Sequence, residues 1–304
     1  MASVQFGQHA PAARVILHLS DTHLLGGDRL LGDRYDTAAH LRRTLDAAEA
    51  TGVRPDAVVF TGDLTDLGEP EAYRALRAAV EPWAERLGAP VVWVAGNHDE
   101  RPAMRAALLD AEATEEPVTS VHDLGGLRLI ALDSTVPGWH HGDLDPAQLA
   151  WLRAELATPA PLGTILALHP PAPCPPTSPS STSSSCATSP AWPTRSRAAT
   201  CARSSRVICT TPPPAPSRAY PVSVAAASCY TMDLARPADA VNGMDAGRSF
   251  HLVHVWDDTI THAVVPVVDA EATGYFTPEW TARMAALSPE ERLEAFSRKR
   301  PVGQ

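Results

Sequence analysis

Residues 14–23 read RVILHLSDTH. The short apolar run stops abruptly at Ser20 and Asp21, which is the signal of a buried strand. It therefore delivers Asp21 and His23 to a strand end. The same arrangement recurs down the first half of the chain. Residues 56–60 (DAVVF) run into Gly62, Asp63 and Asp66, and residues 90–94 (PVVWV) run into Gly96, Asn97, His98 and Asp99. Residues 127–132 (LRLIAL) make a fourth strand, and residues 164–168 (TILAL) make a fifth that ends at His169. Helical patterns lie between them. Residues 36–51 place Ala38, Leu41, Leu45 and Ala48 on one face, with Asp36 or Thr37 as cap and Gly52 as stop. Residues 71–87 place Leu76, Val80 and Trp83 inward, with Pro82 expected to kink or split the helix. Residues 145–156 place Leu149, Leu152 and Leu156 inward, with Pro146 suited to the first turn. This β-α-β-α rhythm predicts a layered α/β domain.

The pattern returns after residue 220. Residues 221–226 and 250–256 read as strands, and Asp257 and Asp258 turn the chain into a third over 259–267, giving a hairpin. The tail from residue 269 holds one predicted helix, Pro289–Ser297, and the basic group Arg298, Lys299 and Arg300, read as a solvated end. The expected organisation is one domain over residues 1–268 and a C-terminal tail over 269–304.

The chain has 304 residues, a net charge of −10, 44% hydrophobic residues and 20% charged ones. These values allow a sizeable core. They argue against a nucleic-acid-binding surface, which needs a basic balance. No apolar run reaches the roughly 18 residues of a membrane span. The N-terminal residues lack the basic and apolar regions of a secretory signal. With no disulfide-like cysteine spacing either, a cytoplasmic protein is expected. One stretch is anomalous. Residues 170–220 hold 12 of the 29 prolines, four of the five cysteines and 11 serines, and no Asp, Glu, Lys or His.

Loops at the carboxyl ends of parallel strands converge on one crevice. Here they would bring together Asp21, His23, Asp63, Asn97, His98 and His169. Carboxylate, amide oxygen and imidazole donors together suit Mn, Fe, Zn or Co. A carboxylate such as Asp63 has two oxygens and can bridge two metals, the arrangement that clamps a phosphoryl group. Any one of these short motifs arises by chance, but four in order at strand ends rarely do. His18 reads as a core histidine, Asp99 as a cap for the next segment, and His140 and His141 as an exposed loop pair.

The motifs D-x-H (Asp21, His23), G-D-x-x-D (Gly62, Asp63, Asp66), G-N-H-D (Gly96 to Asp99) and the strand ending in His169 resemble the calcineurin-like metallophosphoesterases. The run from His141 through Gly142 and Asp143 to Gln148 and Trp151 is similar to the branch that hydrolyses cyclic nucleotides, the class III phosphodiesterases. The resemblance implies a layered αββα sandwich of two mixed sheets flanked by helices. It also implies a centre with two divalent metal ions. Asp21 and His23 hold one metal, Asn97 and His169 the other, and Asp63 bridges. His98 faces the scissile phosphate, and Asp66 orients His98, although a turn or cap is an equal reading of Asp66. The implied substrate is a 3′,5′-cyclic nucleotide, cyclic AMP first. Another phosphoester substrate, or a degenerate non-catalytic binding protein, stands as the alternative. A homodimer is compatible with the resemblance.

The family pattern also needs a late Gly-His-x-His motif, and none is present: no histidine lies between His169 and His251. The four clustered cysteines have no C-x-x-C spacing to replace it. A Ser/Pro-rich linker is one reading of this stretch; the other, which we favour, is that residues from about 172 to 220 are translated out of frame. With codons CGG GTC ATC TGC ACC for Arg206 to Thr210, triplets begun one base early read GGT CAT CTG CAC, which is Gly-His-Leu-His. Extended back to Thr177 with mostly G/C-ending codons, the shifted frame can give acidic residues and helical periodicity, with the normal frame resuming near Pro221. Loss of that motif predicts weak dimetal binding and low activity.

Overall fold

The computed structural model describes residues 10–169, 207–211, 222–233, 235, 242–271, 274 and 276–298. The anomalous stretch 170–220 lies outside these residues except for 207–211. The chain divides into two compact units, residues 14–268 and the two terminal segments 1–13 and 269–304. The tail helices are α5 (Pro278–Ala285) and α6 (Pro289–Ser297), and α5 is one the sequence pattern does not signal.

The larger unit begins β1 (Arg14–Leu19), α1 (Thr37–Ala50), β2 (Ala57–Thr61), α2 (Pro70–Leu87), β3 (Val91–Val94) and α3 (Arg101–Leu108). It continues through β4 (Ser120–Leu124), β5 (Leu127–Asp133), a small hairpin of β6 (Thr135–Val136) and β7 (Trp139–Gly142), α4 (Pro146–Leu156) and β8 (Thr164–His169). It ends with β9 (Val207–Thr211), β10 (Val222–Val224), the pair β11 (Thr231–Met232) and β12 (Gly243–Met244), and the hairpin β13 (Ser249–Val255) and β14 (Ile260–Pro266). Two five-stranded sheets result, ordered β14-β13-β1-β2-β3 and β10-β9-β8-β5-β4. In each, the strands that lead to the candidate ligands are parallel neighbours: β1 with β2, β2 with β3, and β5 with β8. Both sheets are mixed, because β13 and β9 pair antiparallel.

Alternation along the strands builds three apolar layers. On β1, Leu17 and Leu19 pack with Leu41, Leu76 and Trp83 of α1 and α2, whereas Ile16 joins Val59, Leu129 and Ile165 between the sheets. On β5, Ile130 and Leu132 turn the other way and meet Leu152 of α4. Burial on both faces explains why these strands read as continuous apolar runs. The layer order is helices, sheet, sheet, helix, as expected for an αββα sandwich.

The helix signals hold in detail. Asp36 caps α1 by accepting from the Ala39 amide at 2.8 Å. Asp145 and Gln148 form a capping box ahead of α4, with Pro146 in its first turn. Pro82 neither ends nor divides α2, which runs unbroken to a left-handed Gly88. Pro82 has no amide to give the carbonyl of Ala78, but both residues are exposed, so that carbonyl is open to solvent. Strand β4 and helix α3 escape the pattern reading. The first is a polar edge strand, and the second is only eight residues long.

His18, His251 and His262 form a row across β1, β13 and β14, with ring centroids 5.8 and 6.5 Å apart. Burial pushes His251 below its ordinary value and, with the charge of His251 adding to it, takes His262 down to about 4. Below about pH 6.5 an unfolded chain binds protons at His251 and His262 more readily than the folded chain does. Folding stability should therefore be full above about pH 6.5 and fall as pH drops toward 4. Urea midpoints across that range should fall less steeply for His262→Asn. Equal slopes would show that this row does not set the acid limit.

Candidate active site

The loop after β1 is held by backbone hydrogen bonds on both sides. Asp21 and His23 donate their amides to the carbonyls of Gly62 and Asp63, while Ser228 and Cys229 donate theirs to the carbonyls of Ser20 and Asp21. The backbone is bent sharply to aim the side chains. Asp21, His23 and Asp63 all have positive φ, at 51°, 42° and 47°. Such conformations are costly for residues with side chains and cluster at functional sites. Two glycines let the loops meet. A Cβ on Gly62 would lie 2.6 Å from that of His169, and one on Gly96 would lie 1.9 Å from the Asp63 nitrogen. Both glycines read in the sequence as ordinary turn residues, so their role in close approach is visible only in three dimensions.

The donors converge on one atom. His23 Nε2 lies 3.5 Å, and His169 Nε2 3.2 Å, from the same oxygen, Asp63 Oδ2. The other Asp63 oxygen accepts from the His98 amide at 3.0 Å. On one side of Oδ2, His23 Nε2 is 3.8 Å from Asp21 Oδ1. On the other side, His169 Nε2 is 3.2 Å from Asn97 Oδ1. The five residues thus form two sets around Asp63, drawn from both sheets.

The second nitrogen of each imidazole is already committed. His23 Nδ1 donates to Asp66 Oδ1 at 2.9 Å, and His169 Nδ1 donates to the Thr61 carbonyl at 3.1 Å. These bonds fix the tautomer that turns the Nε2 lone pair toward Asp63, as outer partners do for metal-ligating histidines. The site then consists of acceptor atoms facing one another, an arrangement that calls for cations. Protonation responds to the same demand. Burial opposes charge on His23, yet bonds to Asp63 and Asp66 outweigh it and raise its pKa well above the ordinary value. Burial would likewise raise Asp63, but His169 and His23 hold it well below the carboxylate range. Asp21, His23 and Asp63 lie close enough to hold one ion, and the donor set of oxygens and imidazole nitrogens fits a divalent transition metal.

A family model for the calcineurin-like phosphoesterases matches residues 14–190. This chain belongs to the calcineurin-like phosphoesterase family. It is 44% identical over 296 residues to the cAMP/cGMP dual specificity phosphodiesterase of Mycobacterium tuberculosis, covering 93% of this chain and 89% of the relative. It is 45% identical over 275 residues to the "Probable cyclic nucleotide phosphodiesterase" of Rhodococcus erythropolis, covering 87% of each. With the 3′,5′-cyclic adenosine monophosphate phosphodiesterase of Pseudomonas aeruginosa it shares 34% identity over 160 residues, 52% of this chain and 55% of that one.

Two parts of this phosphoesterase's site differ from the sequence expectation. The Asp66 carboxylate bonds His23 and lies 3.6 Å from His98 Nδ1. It is the Asp66 backbone carbonyl that accepts from His98 Nδ1, at 2.9 Å. Asp66 therefore orients both histidines, with its side chain given to His23. Asp99 does not cap α3, whose N-cap is Glu100. It is buried and accepts from the amides of Leu64, Thr65 and Gly96 and from the Tyr73 hydroxyl. It pins the loop after β2 to the loop after β3. Burial, then the charge of Asp63, pushes its carboxyl up to about 6 against those bonds.

A polar cleft of about 310 Å³ opens beside Asn97 and His98, bounded on its far side by Trp139 and His140 of the β6–β7 hairpin. His140 is exposed, as the sequence suggests, but it is no idle loop residue, because its Nδ1 accepts from Asn97 Nδ2 at 3.0 Å. His18 is the buried core histidine expected, bonded to Thr61 Oγ1 at 2.7 Å. A larger hollow of about 860 Å³ lies between α2 and α3, lined by alanines and by Arg77 in ion pairs with Glu81 and Asp110, and holds no cluster of reactive groups. No described helix is long and apolar enough to cross a membrane.

Proposed function

We propose that this chain derives from a phosphodiesterase acting on 3′,5′-cyclic nucleotides, cyclic AMP first. Asp21 and His23 would hold one divalent ion, Asn97 and His169 a second, with Asp63 shared between them. The observation that carries the reading is the single Asp63 oxygen set between two imidazole nitrogens whose other nitrogens are tied down. Mn, Fe, Zn or Co in that centre supplies Lewis acidity toward the phosphoryl oxygens and acidifies water. The protein's own groups do the rest. Asp66 and Thr61 hold the imidazoles in register. His98, with Nδ1 committed to the Asp66 carbonyl, keeps Nε2 for proton transfer to the leaving ester oxygen. The cleft beside it accommodates the nucleoside. The names of the relatives support the cyclic-nucleotide substrate.

The site is incomplete in this chain. Strand β9 leaves the vicinity of His169 antiparallel to β8, with Val207 opposite Leu168. Its residues are Val207, Ile208, Cys209, Thr210 and Thr211, with no histidine among them. With G/C-ending codons, Arg206 to Thr210 would read Gly-His-Leu-His one base early, so the out-of-frame reading of residues 172–220 assigns the lost ligands to this stretch. Sequencing the gene tests it directly, since codons that do not give Gly-His-x-His in the shifted frame would end the idea. Turnover of cyclic AMP, bis(p-nitrophenyl) phosphate and p-nitrophenyl phosphate with excess Mn should favour the diesters and stay low. Restoring the frame should raise cyclic AMP turnover at least roughly 100-fold, since even outer partners of a metal are worth 10–100-fold. Preference for the monoester would overturn the substrate reading. Tight binding of two metals with normal turnover in the present chain would overturn the incompleteness.

A further inference from the structure

We propose that His140 is a positioning residue that decides which atom of the Asn97 amide faces the metal site. This rests on the reading of Asn97 as a metal ligand. An asparagine offers one oxygen that can ligate and one NH₂ that cannot, on nearly the same shape. The side chain of Asn97 is held from both ends. Its Oδ1 lies 3.2 Å from His169 Nε2, and its Nδ2 donates to His140 Nδ1 at 3.0 Å. If the amide were turned over, its oxygen would face the lone pair of His140, and its NH₂ would occupy the ligand position. An acceptor at His140 Nδ1 therefore selects the productive orientation.

The fold delivers that acceptor through the same segment that carries Asn97. Helix α3 follows the 96–99 loop, and its buried Arg101 bonds both Asp133 Oδ2 and the carbonyl of Thr135, each at 2.9 Å. Asp133 in turn accepts from the amide and hydroxyl of Thr135. Arg101 thus ties the root of the β6–β7 hairpin to the Asn97 loop. At the hairpin's far strand the His140 ring lies 5.1 Å from that of His98. His140 itself is exposed, so the core does not need it, and a change there tests positioning separately from folding.

Two measurements decide the matter on the full chain. The first is the ¹⁵N–¹⁵N coupling across the hydrogen bond between Asn97 Nδ2 and His140 Nδ1, read without metal. The coupling is expected in the wild type, and its absence would overturn the proposal. The second is calorimetric titration with MnCl₂ alone. His140→Phe keeps the ring contact but removes the acceptor, and should weaken the second ion roughly 10–100-fold, the usual worth of an outer partner. The first ion, on Asp21, His23 and Asp63, and the melting temperature should not move. His140→Asn, which returns an acceptor near the position of Nδ1, should recover most of the loss. A second ion bound by His140→Phe as tightly as by the wild type would overturn the proposal. If the wild type takes up only one ion, as the missing Gly-His-x-His ligands allow, the coupling alone decides whether His140 holds the amide, and its absence overturns the proposal.

Discussion

Asp99→Ala should cost this fold about 3–5 kcal/mol. Removing the carboxylate leaves the amides of Leu64, Thr65 and Gly96 and the Tyr73 hydroxyl without their acceptor in a buried place. Each unsatisfied buried donor costs about 1–3 kcal/mol. Relief of repulsion from Asp63, the second cause of the raised Asp99 pKa, returns part of that sum. What remains is a large share of the 5–15 kcal/mol that typically holds a domain together. Asp99→Asn should be nearly as damaging, because its NH₂ must face a group of donors. Urea denaturation at pH 7.5 measures both, and an unfolding free energy within about 0.5 kcal/mol of the wild type would show that Asp99 does not join the two loops. The functional consequence follows from position. The loops it joins carry Asp63 on one side and Asn97 and His98 on the other, so loss of Asp99 should also weaken metal binding.

Asp63→Ala should have the largest effect on the metal site. Its Oδ2 is the atom common to both sets of donors, so both ions should weaken together, each at least roughly 100-fold. Asp21→Ala should instead weaken one ion far more than the other. The His23 imidazole also loses a carboxylate that supports its charge. For His23, Asp66 remains as a partner, which keeps the ring in place. Calorimetric titration with MnCl₂ distinguishes the outcomes. Loss of only one ion in Asp63→Ala would mean that Asp63 does not bridge.

Much of this was legible in the sequence because strand ends are marked twice, by the end of an apolar run and by the polar residues that follow. RVILHL before Asp21 and TILAL before His169 show it well. The family resemblance then assigned roles to residues that the structure brings within 4 Å of one another. What the sequence hid is of three kinds. The Asp66 carboxylate and its carbonyl serve different histidines, and no spacing distinguishes a side-chain bond from a backbone one. Asp99 looks like a helix cap, because acid before a helix is the usual cap signal, and only burial against Leu64 and Gly96 shows otherwise. The contact of His140 with Asn97 spans 43 positions and depends on a hairpin of two-residue and four-residue strands, too short to register as a pattern. Gly62 and Gly96 could have signalled the crowding, since each precedes a polar strand-end residue, but a turn explains such glycines equally well.

The central claim is that Asp63 sits between two metal positions. Anomalous diffraction from crystals soaked in millimolar MnCl₂ tests it most directly. Two peaks are expected on either side of Asp63 Oδ2, one beside Asp21 and His23 and the other beside Asn97 and His169. A single peak remote from Asp63, or Mn bound only elsewhere on the chain, would contradict it.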